Sequence, residues 1–194
     1  MANFWFYVKL GLEHVLDFGA YDHILFLVAL TLPFSFKELK KVIILATVFT
    51  ISHCVSLALS TYDVVVMDVG LIEFLIPVTI IVTAIFNFLY LKTQANHRST
   101  LLHILATAYF GLIHGFGFSN YFKMLMAEED NRLAPLLGFA MGIEISQVLI
   151  VLLVLILIYI ALSVLKFKPR YFVVITSILV ILFTIPMLIR TFPL

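Results

Sequence analysis

The chain reads as long apolar stretches separated by short polar connections. A membrane-spanning helix needs about 20 mostly apolar residues, and six stretches reach that length. The first runs from Phe4 or Leu10 to Leu32 and stops before Pro33, with a break expected at Gly19 that would leave an outer interfacial turn. The others run over Val42–Ser60, Leu71–Leu91 with a kink expected at Pro77, Leu101–Phe122, Leu133–Leu165 and Tyr171–Ile189. The fifth is too long for one perpendicular crossing, so it is expected to tilt or to extend past the lipid. The pattern predicts an all-α fold: a polytopic membrane bundle of about six transmembrane helices, forming a single domain over residues 1–194.

Composition sharpens this picture. The chain is 63% hydrophobic and 12% charged, where a soluble domain carries roughly 25% charged residues. Mean hydropathy is +1.17. The net charge of +1 says nothing about nucleic acid and no basic patch suggests it, so no nucleic-acid partner is expected and the lipid bilayer is. Cys54 is the single cysteine, which rules out an internal disulfide and a cysteine-based zinc cluster. The first residues lack the basic region and small-residue cleavage site of a signal peptide, so the first apolar stretch is expected to be retained. Cations crowd three connections: Lys37, Lys40 and Lys41; Lys92 and Arg98; Lys166, Lys168 and Arg170. The alternate connections carry Asp63 and Asp68, or set Lys123 and Arg132 against Glu128, Glu129 and Asp130. The positive-inside rule then places both termini outside.

Against this topology the intramembrane polar residues fall at one depth. Counting 1.5 Å per residue, Asp22 and His23 lie about 21 Å above the inner end of the first span, His53 about 18 Å above that of the second, and His114 about 21 Å above that of the fourth. Glu73 and Glu144 are expected higher, near the outer ends of the third and fifth spans. Glu13, His14 and Asp17 are expected outside or close to it, as an entrance or as supports for the site. Ionisable side chains in hydrocarbon cost roughly 2.5–3.5 kcal/mol each on insertion scales, so a shared depth calls for a shared purpose. Imidazole with carboxylate suits nickel, cobalt, zinc, iron or manganese, and the lack of thiolate argues against copper(I). The candidate metal ligands are His23, His53, His114, Asp22 and Glu144. Asp22 and His23 point about 100° apart on a helix, so one is expected to ligate while the other orients a ligand.

Plainer roles fit other residues. Asn87 reads as a helix–helix hydrogen-bond partner. His97 and His103 read as interfacial. Gly111-x-x-x-Gly115 and Gly138-x-x-x-Gly142 read as sites of close helix approach. Phe116 and Phe118 read as lid or lipid packing. Ser52 and Ser146 read as serines bonded to the preceding helical turn, with Ser52 also a candidate neighbour of the site.

Several ordered motifs resemble the HupE/UreJ family of small bacterial membrane proteins. They are Gly11-Leu-Glu-His14 with Gly19 and Asp22-His23-Ile-Leu-Phe-Leu; Thr50-Ile-Ser-His53-Cys-Val-Ser-Leu; the acidic Glu73; Phe110-Gly-Leu-Ile-His114-Gly-Phe-Gly-Phe118; and Gly138-Phe-Ala-Met-Gly-Ile-Glu144-Ile-Ser-Gln147. The resemblance implies an integral protein of the bacterial inner membrane and a role tied to nickel or cobalt, since members are regarded as secondary permeases for these ions. The spacing from His14 to Asp22 is longer than in the nickel-linked members. The leading expectation is a permease with an outward-half site for a divalent transition metal. The alternative is an intramembrane zinc-type hydrolase acting on a lipid or membrane peptide, with Glu73, Glu144 or Asp22 as the catalytic base. The partners expected are a metal ion and lipid, with a homo-oligomer left open.

Overall fold

The computed structural model of the protein describes residues 4–92, 100–127, 129 and 131–193. His97, Arg98, Glu128 and Asp130 lie outside these residues. Every regular element among the described residues is helical: α1 (Phe4–Leu16), α2 (Asp22–Thr31), α3 (Leu39–Thr61) entered through a 3-10 turn at Phe36–Glu38, α4 (Val69–Lys92), α5 (Thr100–Leu125), α6 (Leu133–Tyr159) continued by a π turn at Ile160–Val164, and α7 (Pro169–Arg190). Five of them, α3 to α7, are long and apolar enough to cross a membrane. The protein is an integral membrane protein.

The first of the six expected spans is not one helix. It is split into α1 and α2, whose 13 and 10 residues give lengths of about 20 and 15 Å; α2 alone is half the thickness of a hydrocarbon core. The break falls where Gly19 marked it. The Asp17 carboxylate accepts the Gly19 N–H at 2.7 Å, a local turn that offers the backbone an alternative to the helical ladder.

Glycines set how closely the helices approach. α1 packs along α6 and α3 along α5. A Cβ on Gly138 would lie 2.9 Å from the Phe4 carbonyl oxygen, and one on Gly111 would lie 2.7 Å from that of Phe49. Cβ atoms on Gly11 and Gly142 would overlap the facing α6 and α1 backbones, and one on Gly115 would overlap the His53 carbonyl. Both small-residue motifs therefore act as backbone contacts. Between these helix pairs the interior is filled by fully buried Phe26, Phe49, Phe122 and Phe139. Asn87 donates to the Ala29 carbonyl at 3.0 Å and to Ser177 Oγ at 3.3 Å, tying α4 to α2 and α7 as the plain reading expects. At the end of the bundle formed by the α3–α4 connection, Lys123 pairs with Asp63, and Arg132 donates to the Thr61 carbonyl at 2.7 Å.

Replacing Gly142 with valine forces α1 away from α6. It should destabilise the protein by about 1–3 kcal/mol, the usual cost of overpacking. Scanning fluorimetry in detergent should show a lower melting temperature for Gly142→Val. Gly70→Ala should match the parent, because its Cβ would meet only the Asp68 carboxylate at an ordinary 3.4 Å.

Candidate metal centre

The break in the first span builds the site. On an unbroken helix, His14 and His23 would sit about 13.5 Å apart along the axis and on opposite faces. Here His14 lies in the last turn of α1 and His23 in the first turn of α2, and their ring centroids are 4.6 Å apart. His53, from the middle of α3, completes the group: its ring centroid is 5.7 Å from both. Each of the three can offer a ring nitrogen such that all three atoms lie within 4.8 Å of one another.

The nitrogens are bare. His14 Nε2, His23 Nε2 and both nitrogens of His53 are buried and have no hydrogen-bond partner. Burying a polar atom without a partner costs roughly 1–3 kcal/mol, and a bound ion would complete several of them at once. The tautomer of His23 follows from its neighbour: Asp22 Oδ1, an acceptor, lies 3.2 Å from His23 Nδ1, so Nδ1 carries the proton and Nε2 presents its lone pair. A carboxylate behind the ligating imidazole is the usual support of a metal-bound histidine. At the first turn of α2, Asp22 also meets the positive end of that helix dipole.

His114 lies against this group. Its centroid is 5.3 Å from that of His23, its Nδ1 donates to the Phe110 carbonyl at 2.9 Å, and its Nε2 is buried and unpartnered. The tight triple, however, is His14, His23 and His53. His14, expected at the entrance, is one of the three. The break expected at Gly19 is there, but it folds the chain back so that the end of α1, two residues beyond His14, meets the start of α2 at Asp22.

Other expected positions separate from the group. Glu144 was expected near the outer end of its span. It lies instead in the middle of α6, where it accepts hydrogen bonds from Thr47 Oγ1 at 2.6 Å and Thr50 Oγ1 at 2.7 Å. It therefore sits on the Leu39 side of His53 along α3, and it is not in the triple. Glu73 is exposed in the first turns of α4. Ser52 donates to the Val48 and Phe49 carbonyls at 2.8 and 3.0 Å and packs on Gly111, a structural position. Glu13 is exposed and pairs with Lys9 at 3.5 Å, a surface contact worth little.

The group has a mouth and a floor. A cleft of about 740 Å³ opens beside α1, lined by Glu13, Asp17, Leu10, Phe118 and Tyr121, and reaches His14. Phe118 covers His14, ring centroids 4.0 Å apart, and lies parallel to Phe139 at 5.2 Å, so this aromatic ring forms a wall of the group. On the other side, Phe26 stacks on Phe49 at 4.7 Å and both lie against His114.

With this geometry in place, the comparisons read as follows. The sequence profile of one family, described as HupE / UreJ protein, matches residues 1–190. No curated protein and no solved structure matches the chain.

Imidazole must be neutral to bind a metal. Purified protein titrated with Co²⁺ should therefore bind it at neutral pH and lose it on acidification, as protons compete for the imidazoles. Histidine coordination should appear as visible d–d absorption. His53→Ala should abolish that absorption, and Asp22→Asn should weaken binding by roughly 10–100-fold, the usual effect of removing a histidine's carboxylate support.

Proposed function

The chain belongs to the HupE/UreJ family, and on that footing we propose that it is a permease for a divalent transition ion of the nickel–cobalt kind, set in a bacterial inner membrane with both termini outside. The observation that carries this reading is the convergence of unpartnered nitrogens from His14, His23 and His53 at a helix break. Three imidazoles without thiolate suit nickel, cobalt and zinc. Sites built at the ends of discontinuous helices are a recurring way for transporters to hold ions. Here α1 ends at the group, and the partial negative charge of its last carbonyls favours a cation.

The surroundings fit a path that begins outside. Glu13 and Asp17 line the cleft and draw cations toward His14. His114 stands beside His23 as a further imidazole for an ion moving off the triple. The stacked Phe26 and Phe49 close the group on the side away from the mouth, so passage requires a second conformation in which these rings part. The imidazoles hold the ion, Asp22 fixes the tautomer that presents the His23 lone pair, and Phe118 screens the site from the cleft.

The hydrolase alternative needs a carboxylate free to activate water beside the ion. Asp22 is engaged by His23, Glu73 is exposed on α4, and Glu144 is held by two threonines outside the triple. That arrangement favours the permease.

Proteoliposomes loaded with a metal-sensitive dye test this directly. Vesicles carrying the protein should take up Ni²⁺ or Co²⁺ faster than empty ones, and His14→Ala, His23→Ala and His53→Ala should each cut the rate by roughly tenfold or more, in line with the loss of a metal contact. Protein that binds the ion yet never carries it across would rule the permease out.

A further inference from the structure

Along α3 from His53 toward Leu39, a second polar group interrupts the apolar interior. Thr50 and Thr47 lie three and six residues before His53, roughly 4.5 and 9 Å along the helix axis. Both hydroxyls reach Glu144 of α6. Thr50 Oγ1 also lies 3.3 Å from Gln147 Oε1 and 3.3 Å from the Ala46 carbonyl. A hydroxyl has one proton, so it can satisfy only one of these three oxygens. Gln147 is fully buried, and its Nε2 has no partner.

The charge balance is equally incomplete. Among the described residues, no lysine, arginine or histidine pairs with Glu144. Neither orientation of the Gln147 amide would bring a positive charge to it. A glutamine at this position could bridge α3 and α6 as well as a glutamate, without the cost of placing a charge at mid-helix in a membrane. The carboxylate lacks a counter-charge, with two hydroxyl oxygens and the Gln147 amide beside it, and a cation would supply that charge.

We infer that Glu144, Thr47, Thr50 and Gln147 form a second cation station, built of oxygen donors, that receives the divalent ion from the histidine group. The inference rests on the permease reading. The order of donors is chemically directional. Imidazole holds nickel and cobalt well, whereas carboxylate and amide oxygens favour harder ions, so transfer from the histidines to Glu144 loosens the ion before release. A path with successive sites, none too tight, is what conduction requires. Phe49 stands beside His53, ring centroids 5.9 Å apart.

Mn²⁺ is the probe of choice because it accepts oxygen ligands and is read by electron paramagnetic resonance. The purified full chain should bind Mn²⁺ in an oxygen-rich environment. Glu144→Gln should remove that signal, while leaving the Co²⁺ absorption of the histidine group unchanged and cutting uptake by roughly tenfold. His53→Ala should keep the Mn²⁺ signal and lose the Co²⁺ absorption. If Glu144→Gln does not insert, the Thr47→Val/Thr50→Val pair gives the same reading. Mn²⁺ binding that Glu144→Gln leaves intact overturns the station. So does a parent protein that binds no Mn²⁺ and whose uptake loses its response to a pH gradient in Glu144→Gln, which would assign the carboxylate to a proton. Absence of uptake in the parent, with the Mn²⁺ site present, would overturn the permease while leaving the cation site standing.

Discussion

The interruption between Leu16 and Asp22 is the constraint on which the site depends. A continuous helix would hold His14 and His23 apart by geometry that no side-chain rotation could overcome. Stopping α1, turning the chain through Asp17 and Gly19, and restarting at Asp22 brings the two rings into contact. The same interruption puts a helix end on each side of the group, and it gives Asp22 its place behind His23. A membrane helix broken in this way leaves backbone groups unsatisfied unless they line a cavity or are covered by protein; here the cleft beside α1 occupies that position.

The rest of the bundle holds the third imidazole against this pair. His53 can approach only because α3 and α5 run with backbones in contact at Gly111 and Gly115, and because α1 lies equally close to α6 at Gly11 and Gly142. Close approach in a membrane rests on packing rather than on a hydrophobic drive between helices. The glycines therefore do for the scaffold what Asp22 does for one ring: they fix distance. The aromatic side chains fill what is left, with Phe118 and Phe139 on the cleft side and Phe26 and Phe49 on the other.

Much of this was legible in the order of residues. The spans from α3 to α7 follow from uninterrupted apolar length, and the position of the break follows from Gly19. The common depth of His23, His53 and His114 follows from rise per residue alone. His14 and Glu144 did not follow. His14 was set above the expected break at Gly19, as an entrance, but how sharply the chain turns there, folding His14 back against His23, belongs to the three-dimensional structure. Glu144 was placed near the outer end of its span, and the length of a long helix does not say which part of it lies at mid-depth. Only its threonine partners on α3 do that. The orphaned nitrogens were equally out of reach, since partnership belongs to three-dimensional neighbours.

The lock that Asp22 places on His23 also bears on how the ion would respond to voltage. Asp22 Oδ1 lies 3.2 Å from His23 Nδ1, so an ion held at His23 Nε2 would leave the Nδ1 proton with Asp22. A divalent ion held by such rings, with one carboxylate behind them, retains a net charge of about +1 in the site. A membrane that is negative inside pulls on this charge with about 2.3 kcal/mol per elementary charge for each 100 mV. Under the proposed permease reading, the loaded site would be electrogenic, and the resting potential would be the force that draws the ion inward.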